Sequence, residues 1–328
     1  MSGPRGARGQ FEAIAAFRAA AVARGVAAGS GVALGIGDDA AVLAPPPGHD
    51  LVFTTDLLVE ERHFVLAPRA GHVVAAPRQV GWKALAVSVS DTAAMGARAL
   101  WAVLSLALPE ERVGEFADEL VAGLLDCAAE YGVALVGGDT VASPGPVAVN
   151  VALLGAVPHG RALRRDGARP GDAVCVTGAL GGSLLGRHLR PIPRQAAALS
   201  LVQRGVAHAL VDLSDGLSSD LGHVLDASAV GAVLWAGRVP LHADAHRAAA
   251  ADGRSALDHA LHDGEDFELC FCAPRDAAAA LVREGLAGVA VAEVGVVTAA
   301  PGLVLAEHEG SGDGVPLARG GHDHFRAR

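Results

Sequence analysis

The chain has 328 residues and a formal net charge of −10, long enough for two domains that each bury a core and without the clustered Lys and Arg that a nucleic-acid partner demands. Half of the residues are hydrophobic, but much of that half is alanine, and no run approaches the ~20 apolar residues of a spanning helix, so a membrane is also excluded. Met1–Gln10 has no apolar core of the kind a secretory signal carries, which gives the expectation of a cytoplasmic protein. Cys127, Cys175, Cys270 and Cys272 form no CxxC pair, so zinc is not expected, and the last two read as buried strand thiols. Lys83 is the one lysine and follows Trp82 rather than a glycine. Any nucleotide is therefore held without a Walker-type loop.

In chain order, alanine-rich Phe11–Arg24 has apolar residues at helical spacing. Gly35-Ile36-Gly37-Asp38-Asp39 follows; two adjacent carboxylates cannot both face a core, and alone they read as a solvated turn. Leu51–Thr55 reads as a buried strand running into Asp56. Leu85–Ser90 runs into Asp91 but begins at Trp82 with helical spacing, so its type stays open. Pro109 opens an amphipathic helix over Glu110–Glu130, with Val113, Phe116, Leu120, Leu124 and Cys127 on one face. Val133–Gly138 reads as a strand leading to Asp139. Between Val157 and Asp172, Pro, Gly and several arginines break the hydrophobic pattern and predict a boundary, giving domains 1–157 and 158–328. Ala173–Thr177 starts the second unit as a strand, followed by a glycine turn at 178–182 and a helix from Ser183. A further run, Ala209–Leu213, contains Asp212 and leads to Asp215. The acidic loop Asp263–Glu268 lies between a helical segment and the strand-like run Leu269–Cys272. Alternation of this kind predicts an α/β (α+β) fold rather than a bundle or a sandwich.

The chemistry is carried by acids. Asp39, Asp56, Asp91, Asp139 and Asp212 stand in Gly/Ser/Thr-rich contexts at the ends of apolar runs, with Thr54, Thr55 and Ser214 beside them. One such Asp is usually a helix cap; five suggest a ligand site at strand ends. Hard oxygen donors without a histidine cluster favour Mg²⁺ or Ca²⁺ over zinc or copper. Since Mg²⁺ binds through one or two carboxylates plus substrate phosphates, the set implies several Mg²⁺ ions around a polyphosphate. Asp212-Leu-Ser-Asp-Gly lacks the spacing and closing Glu of an EF-hand. Arg161–Arg165 and the glycine turn offer guanidinium and backbone N–H groups to an anion, although alone they read as a basic linker and an ordinary turn. At least one acid of the 263–268 loop is expected to face a site. No Ser/His/Asp or Cys/His set for covalent catalysis is present.

GIGDDAAVL (35–43), TTDLLVEERHF (54–64), WKALAVSVSDTAAMGA (82–97), VGGDT (136–140), GRALRR (160–165), RPGD (169–172), VTGALGG (176–182), HLRPIPR (188–194), DLSDGLSSDLGH (212–223), GEDFELCF (264–271) and GHDHF (321–325) occur in one order along nearly the whole chain. In these segments the chain closely resembles the thiamine-monophosphate kinases of the aminoimidazole-ribonucleotide-synthetase-like superfamily. The resemblance implies a two-domain synthetase-like fold, with an N-terminal α/β domain whose sheet forms the interface of a homodimer, and a C-terminal α/β domain. It implies that ATP and thiamine phosphate are the substrates and that several Mg²⁺ ions are needed. Carried over, Asp39, Thr54, Thr55, Asp56, Asp91, Asp139, Asp212 and Asp215 resemble metal ligands, with Asp56, Asp91 and Asp212 at the reacting phosphates. Gly138, Asp139, Arg165 and Ser214 resemble ATP contacts, and His63, Glu265 and His322 resemble thiamine phosphate contacts. At His322 relatives tend to carry Trp or Tyr, and the connection from Gly182 to the HLRPIPR segment is shorter than in many of them. Two alternatives are another ATP-dependent synthetase of the superfamily and a non-catalytic maturation factor related to it. The segments around His63 and Glu265 favour the thiamine branch over the first. The second would end in a functional cysteine, whereas this chain ends His324-Phe-Arg-Ala-Arg328.

Overall fold

The computed structural model describes residues 9–312 and 314–321. The chain divides into two compact units, one of residues 1–92 and 98–159 and the other of 93–97 and 160–328.

The first unit opens with helix α1 (Gln10–Ala23) and a short hairpin, β1 (Val32–Leu34) and β2 (Val42–Leu43). The long strand β3 (His49–Val59) leads through a turn to helix α2 (Pro77–Ala94). Strand β4 (Arg98–Leu108), helix α3 (Glu115–Tyr131), β5 (Ala134–Ala142) and β6 (Ala148–Pro158) complete it. The sheet order is β3-β6-β4-β5. All of its neighbours are antiparallel except β4 and β5, the parallel pair that α3 connects. The run of open type is helix α2, buried on every side from Val80 to Ser90. Glu110–Arg112 is a separate 3₁₀ turn, so the amphipathic helix begins later than its pattern predicts. Leu120, Leu124 and Cys127 are buried as expected, while Phe116 lies half-buried under the Arg112 guanidinium, 5.1 Å from the ring centre.

The second unit contains β7 (Ala173–Thr177), α4 (Gln195–Arg204), β8 (Ala209–Asp212), α5 (Leu217–Ser228) and β9 (Gly231–Trp235). Then come α6 (Ala243–Asp252), α7 (Ala256–His262), β10 (Leu269–Ala273), α8 (Arg275–Glu284), β11 (Val291–Thr298), β12 (Gly302–Ala306) and β13 (Val315–Pro316). They form a seven-stranded mixed sheet in the order β13-β12-β9-β11-β7-β10-β8. Side chains alternate across a strand, and both faces here are covered. Val174, Val176, Val211 and Cys270 pack with α5 residues Leu221, Val224 and Leu225. Ala173, Cys175, Leu210 and Phe271 pack with Leu201 of α4 and Leu281 of α8. Two-sided burial explains why β7, β8 and β10 read as uninterrupted apolar runs. All four cysteines are buried and none is in a disulfide. Burial pushes Cys175 up to about 12 and Cys270 and Cys272 well above the usual thiol range. No described helix is long and apolar enough to cross a membrane.

Helices α2 and α3 touch backbone to backbone through two glycines. A Cβ on Gly81 would lie 1.7 Å from the Leu120 carbonyl oxygen, and one on Gly123 would lie 1.8 Å from that of Arg78. Neither obstacle is a movable side chain, so even a methyl group must push the helices apart. Gly81→Ala and Gly123→Ala are each expected to destabilise the protein by about 1–3 kcal/mol or more, despite alanine's better helix propensity. Chemical denaturation checks this, and an unchanged or higher midpoint would remove the helix contact.

Candidate active site

In the first unit, alternation along β3 separates two neighbours. Thr54 and Asp56 face α2, where Thr54 Oγ1 donates to Asp91 Oδ2 at 2.5 Å and Ser88 Oγ donates to Asp56 Oδ2 at 2.6 Å. Ser88 and Asp91 are three residues apart on α2, which brings them to one helix face. Asp56 is pushed up to about 6, first by burial and then by the charge of Asp91, with the Ser88 hydroxyl opposing the rise. Two carboxylates held this close, one already resisting ionisation, fit a divalent cation: positive charge between them would relieve the repulsion.

Thr55 points to the opposite face of the sheet, where its Oγ1 accepts from Asn150 Nδ2 at 2.8 Å. Asp139 is on that face as well. Its row runs through Ser105 of β4 and Asn150 of β6 to Leu57 of β3. The proposed ligands of this unit are therefore divided between two faces of one sheet. Asp56 and Asp139 also sit within strands rather than at their ends, and Asp91 sits in a helix; only Asp212 closes a strand. Gly138 has a structural reason to be glycine, because a Cβ there would meet the Leu104 carbonyl oxygen at 2.1 Å. Asp39 stands exposed on the loop between β1 and β2, its backbone N–H donating to Asp38 Oδ1. His63 lies on the turn after β3 and accepts the Val59 N–H on Nδ1 at 3.0 Å.

The second unit carries another group of acids. Buried Asp212 ends β8, and the turn to α5 presents Asp215. Asp220, one turn into α5, accepts the backbone N–H groups of Asp215 and Gly216 at 2.9 and 3.0 Å, fixing that turn. Its carboxyl is pushed up to about 8 by burial and then by the charges of Asp212 and Asp215. One ligand atom each of Asp215, Asp220 and His223 lie within 4.8 Å of one another. Asp220 was not singled out by sequence reasoning; its helical spacing from Gly216, which makes it a natural partner for the first N–H groups of α5, was the available signal.

The glycine turn does not offer its N–H groups to an outside anion. Gly181 N–H donates to both carboxylate oxygens of Asp266, and Gly182 N–H donates to Asp263. Arg187 adds a 2.7 Å ion pair to Asp266, and Arg194 grips Glu268, which also accepts from Thr177 Oγ1. The acidic loop and the glycine turn thus satisfy each other. The segment from Ser183 is a three-residue 3₁₀ turn rather than the expected helix, and lacks the aligned dipoles that would draw in a phosphate. Glu265 N–H donates to the Ser214 carbonyl at 2.7 Å, and Glu265 adopts a left-handed backbone with φ 53°. Arg165 is exposed beside the Arg164–Asp166 ion pair. His322 lies outside the described residues.

Because the Asp56 carboxyl is raised in the fold, the native state holds its proton more tightly than the unfolded chain does. Stability from this group is therefore lost as pH rises from about 4 to 6 and stays lower above that range. Without divalent cations at pH 8, Asp56→Asn is expected to melt a few degrees above the parent; with excess Mg²⁺ the parent gains more than the variant. Equal Mg²⁺ responses in thermal melts would remove Asp56 from any cation site.

Residues 37–157 match the domain family described as AIR synthase related protein, N-terminal domain, and residues 169–307 match its C-terminal domain. The thiamine-monophosphate kinase of Rhodopirellula baltica is 43% identical over 276 residues, spanning 82% of this chain and 84% of its own. The crystal structure of the thiamine-monophosphate kinase from Stenotrophomonas maltophilia K279a superposes with a TM-score of 0.75 at 35% identity, covering 90% of this chain and 95% of that one. A structure of AaThiL complexed with AMPPCP and TMP superposes at 0.69 with 29% identity, covering 83% and 88%. With both halves matched in order and the likeness running through nearly the whole chain, this protein belongs to the thiamine-monophosphate kinase family of AIR-synthase-related enzymes.

Proposed function

We propose that the chain transfers the γ-phosphoryl group of ATP to thiamine phosphate, giving thiamine diphosphate and ADP, at acids that hold several Mg²⁺ ions. The observation that carries this reading is the Asp56–Asp91 pair, held between β3 and α2 by Ser88 and Thr54. The binding of AMPPCP, a non-transferring ATP analogue, together with TMP by a relative supports the choice of substrates.

A terminal phosphate oxygen of thiamine phosphate attacks the γ-phosphorus in line. The P–O bond to the β-phosphate breaks, and its electron pair leaves with ADP. The acceptor is already ionised near neutrality, so the protein need supply neither a covalent nucleophile nor a strong base. Its work is positioning and charge control. Asp56, Asp91, Thr54, Thr55, Asp139 and Asp39 in the first unit, and Asp212 and Asp215 in the second, are the proposed metal ligands. Mg²⁺ held there would supply the positive charge that offsets charge on the phosphates. Gly138, Asp139, Ser214 and Arg165 are assigned to ATP. His63, Glu265 and His322 are assigned to thiamine phosphate. Buried Asp212 and the fixed Asp215 turn give the second group a rigid base.

The first unit is also proposed to form a homodimer through its sheet. Phe53 is 67% exposed, with Leu51 and Leu57 beside it on the same face of β3, an apolar surface that water disfavours. Phe53→Glu is expected to give a monomer by light scattering, and an unchanged mass would move the interface elsewhere.

Purified protein incubated with ATP, Mg²⁺ and thiamine phosphate should form thiamine diphosphate. Its absence, with ATP consumed or bound, would favour the maturation-factor reading. Asp91→Asn should reduce turnover by about 10²–10³ while the fold persists, because an amide keeps the shape but not the charge. Near-normal turnover at saturating Mg²⁺ would take Asp91 out of the site. Arg165→Ala should raise the KM for ATP more than that for thiamine phosphate; the reverse would mean that the substrate assignments are exchanged.

A further inference from the structure

We infer that Lys83 is a positioning residue for thiamine phosphate, acting through His63; this rests on the assignment of His63 to that substrate. Lys83 is 1% exposed, in the middle of the fully buried stretch of α2. Removing an ammonium group from water is costly unless it gains specific partners. Its Nζ donates to the His63 carbonyl oxygen at 2.9 Å. It is also the one lysine among 26 basic residues, in a chain that uses arginine at every other basic position. Arginine presents a wide planar fork, whereas lysine ends in a compact three-donor group on a flexible stem. At 1% exposure, this position suits the compact group better than the fork.

What Lys83 holds is a turn with little slack. After β3, the His63 N–H donates to the Val59 carbonyl at 3.0 Å, and Glu61 N–H donates to the Phe64 carbonyl at 2.8 Å. Glu61 adopts a left-handed backbone with φ 69°, which costs a non-glycine residue free energy and persists only when neighbouring contacts enforce it. The Lys83 contact lies two residues further along the same turn, on the His63 carbonyl. The imidazole is fixed by the same turn. Nδ1 lies 3.0 Å from the Val59 nitrogen and 3.4 Å from its carbonyl oxygen; the shorter contact, with the N–H donating to Nδ1, corresponds to the tautomer that carries its proton on Nε2. In that tautomer Nε2 is a hydrogen-bond donor, which suits a phosphate oxygen. Lys83 and Asp91 are eight residues apart on one helix, about 12 Å along its axis. One rigid rod thus sets both the His63 turn and the acid pair.

The test is a set of kinetic measurements on the full chain. Lys83→Met should raise the KM for thiamine phosphate roughly tenfold, as expected for losing a charged donor to a buried carbonyl, with the KM for ATP and the dependence on Mg²⁺ changed little. Lys83→Arg should not restore the parent value. In a His63→Ala background, Lys83→Met should add nothing further to that KM. Equal shifts in both KM values, or an undiminished effect in the His63→Ala background, would overturn the inference. If His63→Ala alone leaves the KM for thiamine phosphate unchanged, the substrate assignment fails and the inference falls with it. If His63→Ala raises it and Lys83→Met does not, only the inference fails. Should the methionine variant not fold, Lys83→Gln, which keeps a donor, should give a smaller shift in the same direction. Independently of any variant, ring ¹⁵N shifts in the parent protein should show His63 protonated on Nε2 and bare on Nδ1; the opposite tautomer would overturn the arrangement.

Discussion

The first unit depends on a helix that has no free side. Helix α2 is buried along its central turns and meets α3 at glycines where backbones touch. Such a helix cannot rotate or slide without breaking close packing, since interiors are as dense as organic crystals. Ser88 and Asp91 on this element meet Asp56 and Thr54 on β3 at distances set by the packing. The free energy for holding two acids together therefore comes from apolar burial elsewhere in the unit. That division of labour lets the acid pair remain electrostatically uncomfortable while the fold persists.

The fold treats its acids in two ways. In the second unit, the loop from Asp263 to Glu268 is neutralised internally by Arg187, Arg194 and the N–H groups of the glycine turn. There the carboxylates are structural anions occupying what would otherwise be an anion site. Burial raises Asp266 as well, to about 6, but there Arg187 and the Gly181 N–H oppose the rise. Asp56 and Asp220 are raised by burial and a neighbouring acid with no arginine opposing them. A raised carboxyl with no arginine beside it is poised for a cation, whereas one already paired with arginine is not. The presence or absence of an arginine partner thus separates acids that build the fold from acids suited to chemistry, although both kinds share the same Gly-rich sequence context.

Much of this was legible in the sequence. The strand Ala173–Thr177 has the bounds its pattern predicts, and helix α1 lies where the alanine-rich spacing places it. Cys270 and Cys272 are buried, as their apolar run implies. The limits were physical. Leu85–Ser90 is apolar on all sides because α2 is buried on all sides, so it shows neither the alternation of a strand nor a polar helix face. Reading aspartates as strand-end residues placed only Asp212 correctly, since the chain runs on in strand past Asp56 and Asp139. The glycine turn looked like a phosphate cradle because residues 181–182 and 263–266, far apart in sequence, satisfy each other only after folding. The separation of Thr54 from Thr55 onto opposite faces follows from strand alternation alone, but only once residues 49–59 are known to be one unbroken strand.

A single inward-facing lysine also has a consequence for chemical modification. Lysine acetylation, ubiquitin attachment to lysine and lysine labelling all require an accessible side-chain amine. Within these 328 residues the only such amine is sequestered in the interior of α2. Folded protein should therefore resist every reagent and enzyme that works through lysine, including lysine-directed proteases. Apart from the α-amino group, acylating agents would mark an amine of the chain only as it unfolds, which makes Lys83 a built-in reporter of opening in the first unit.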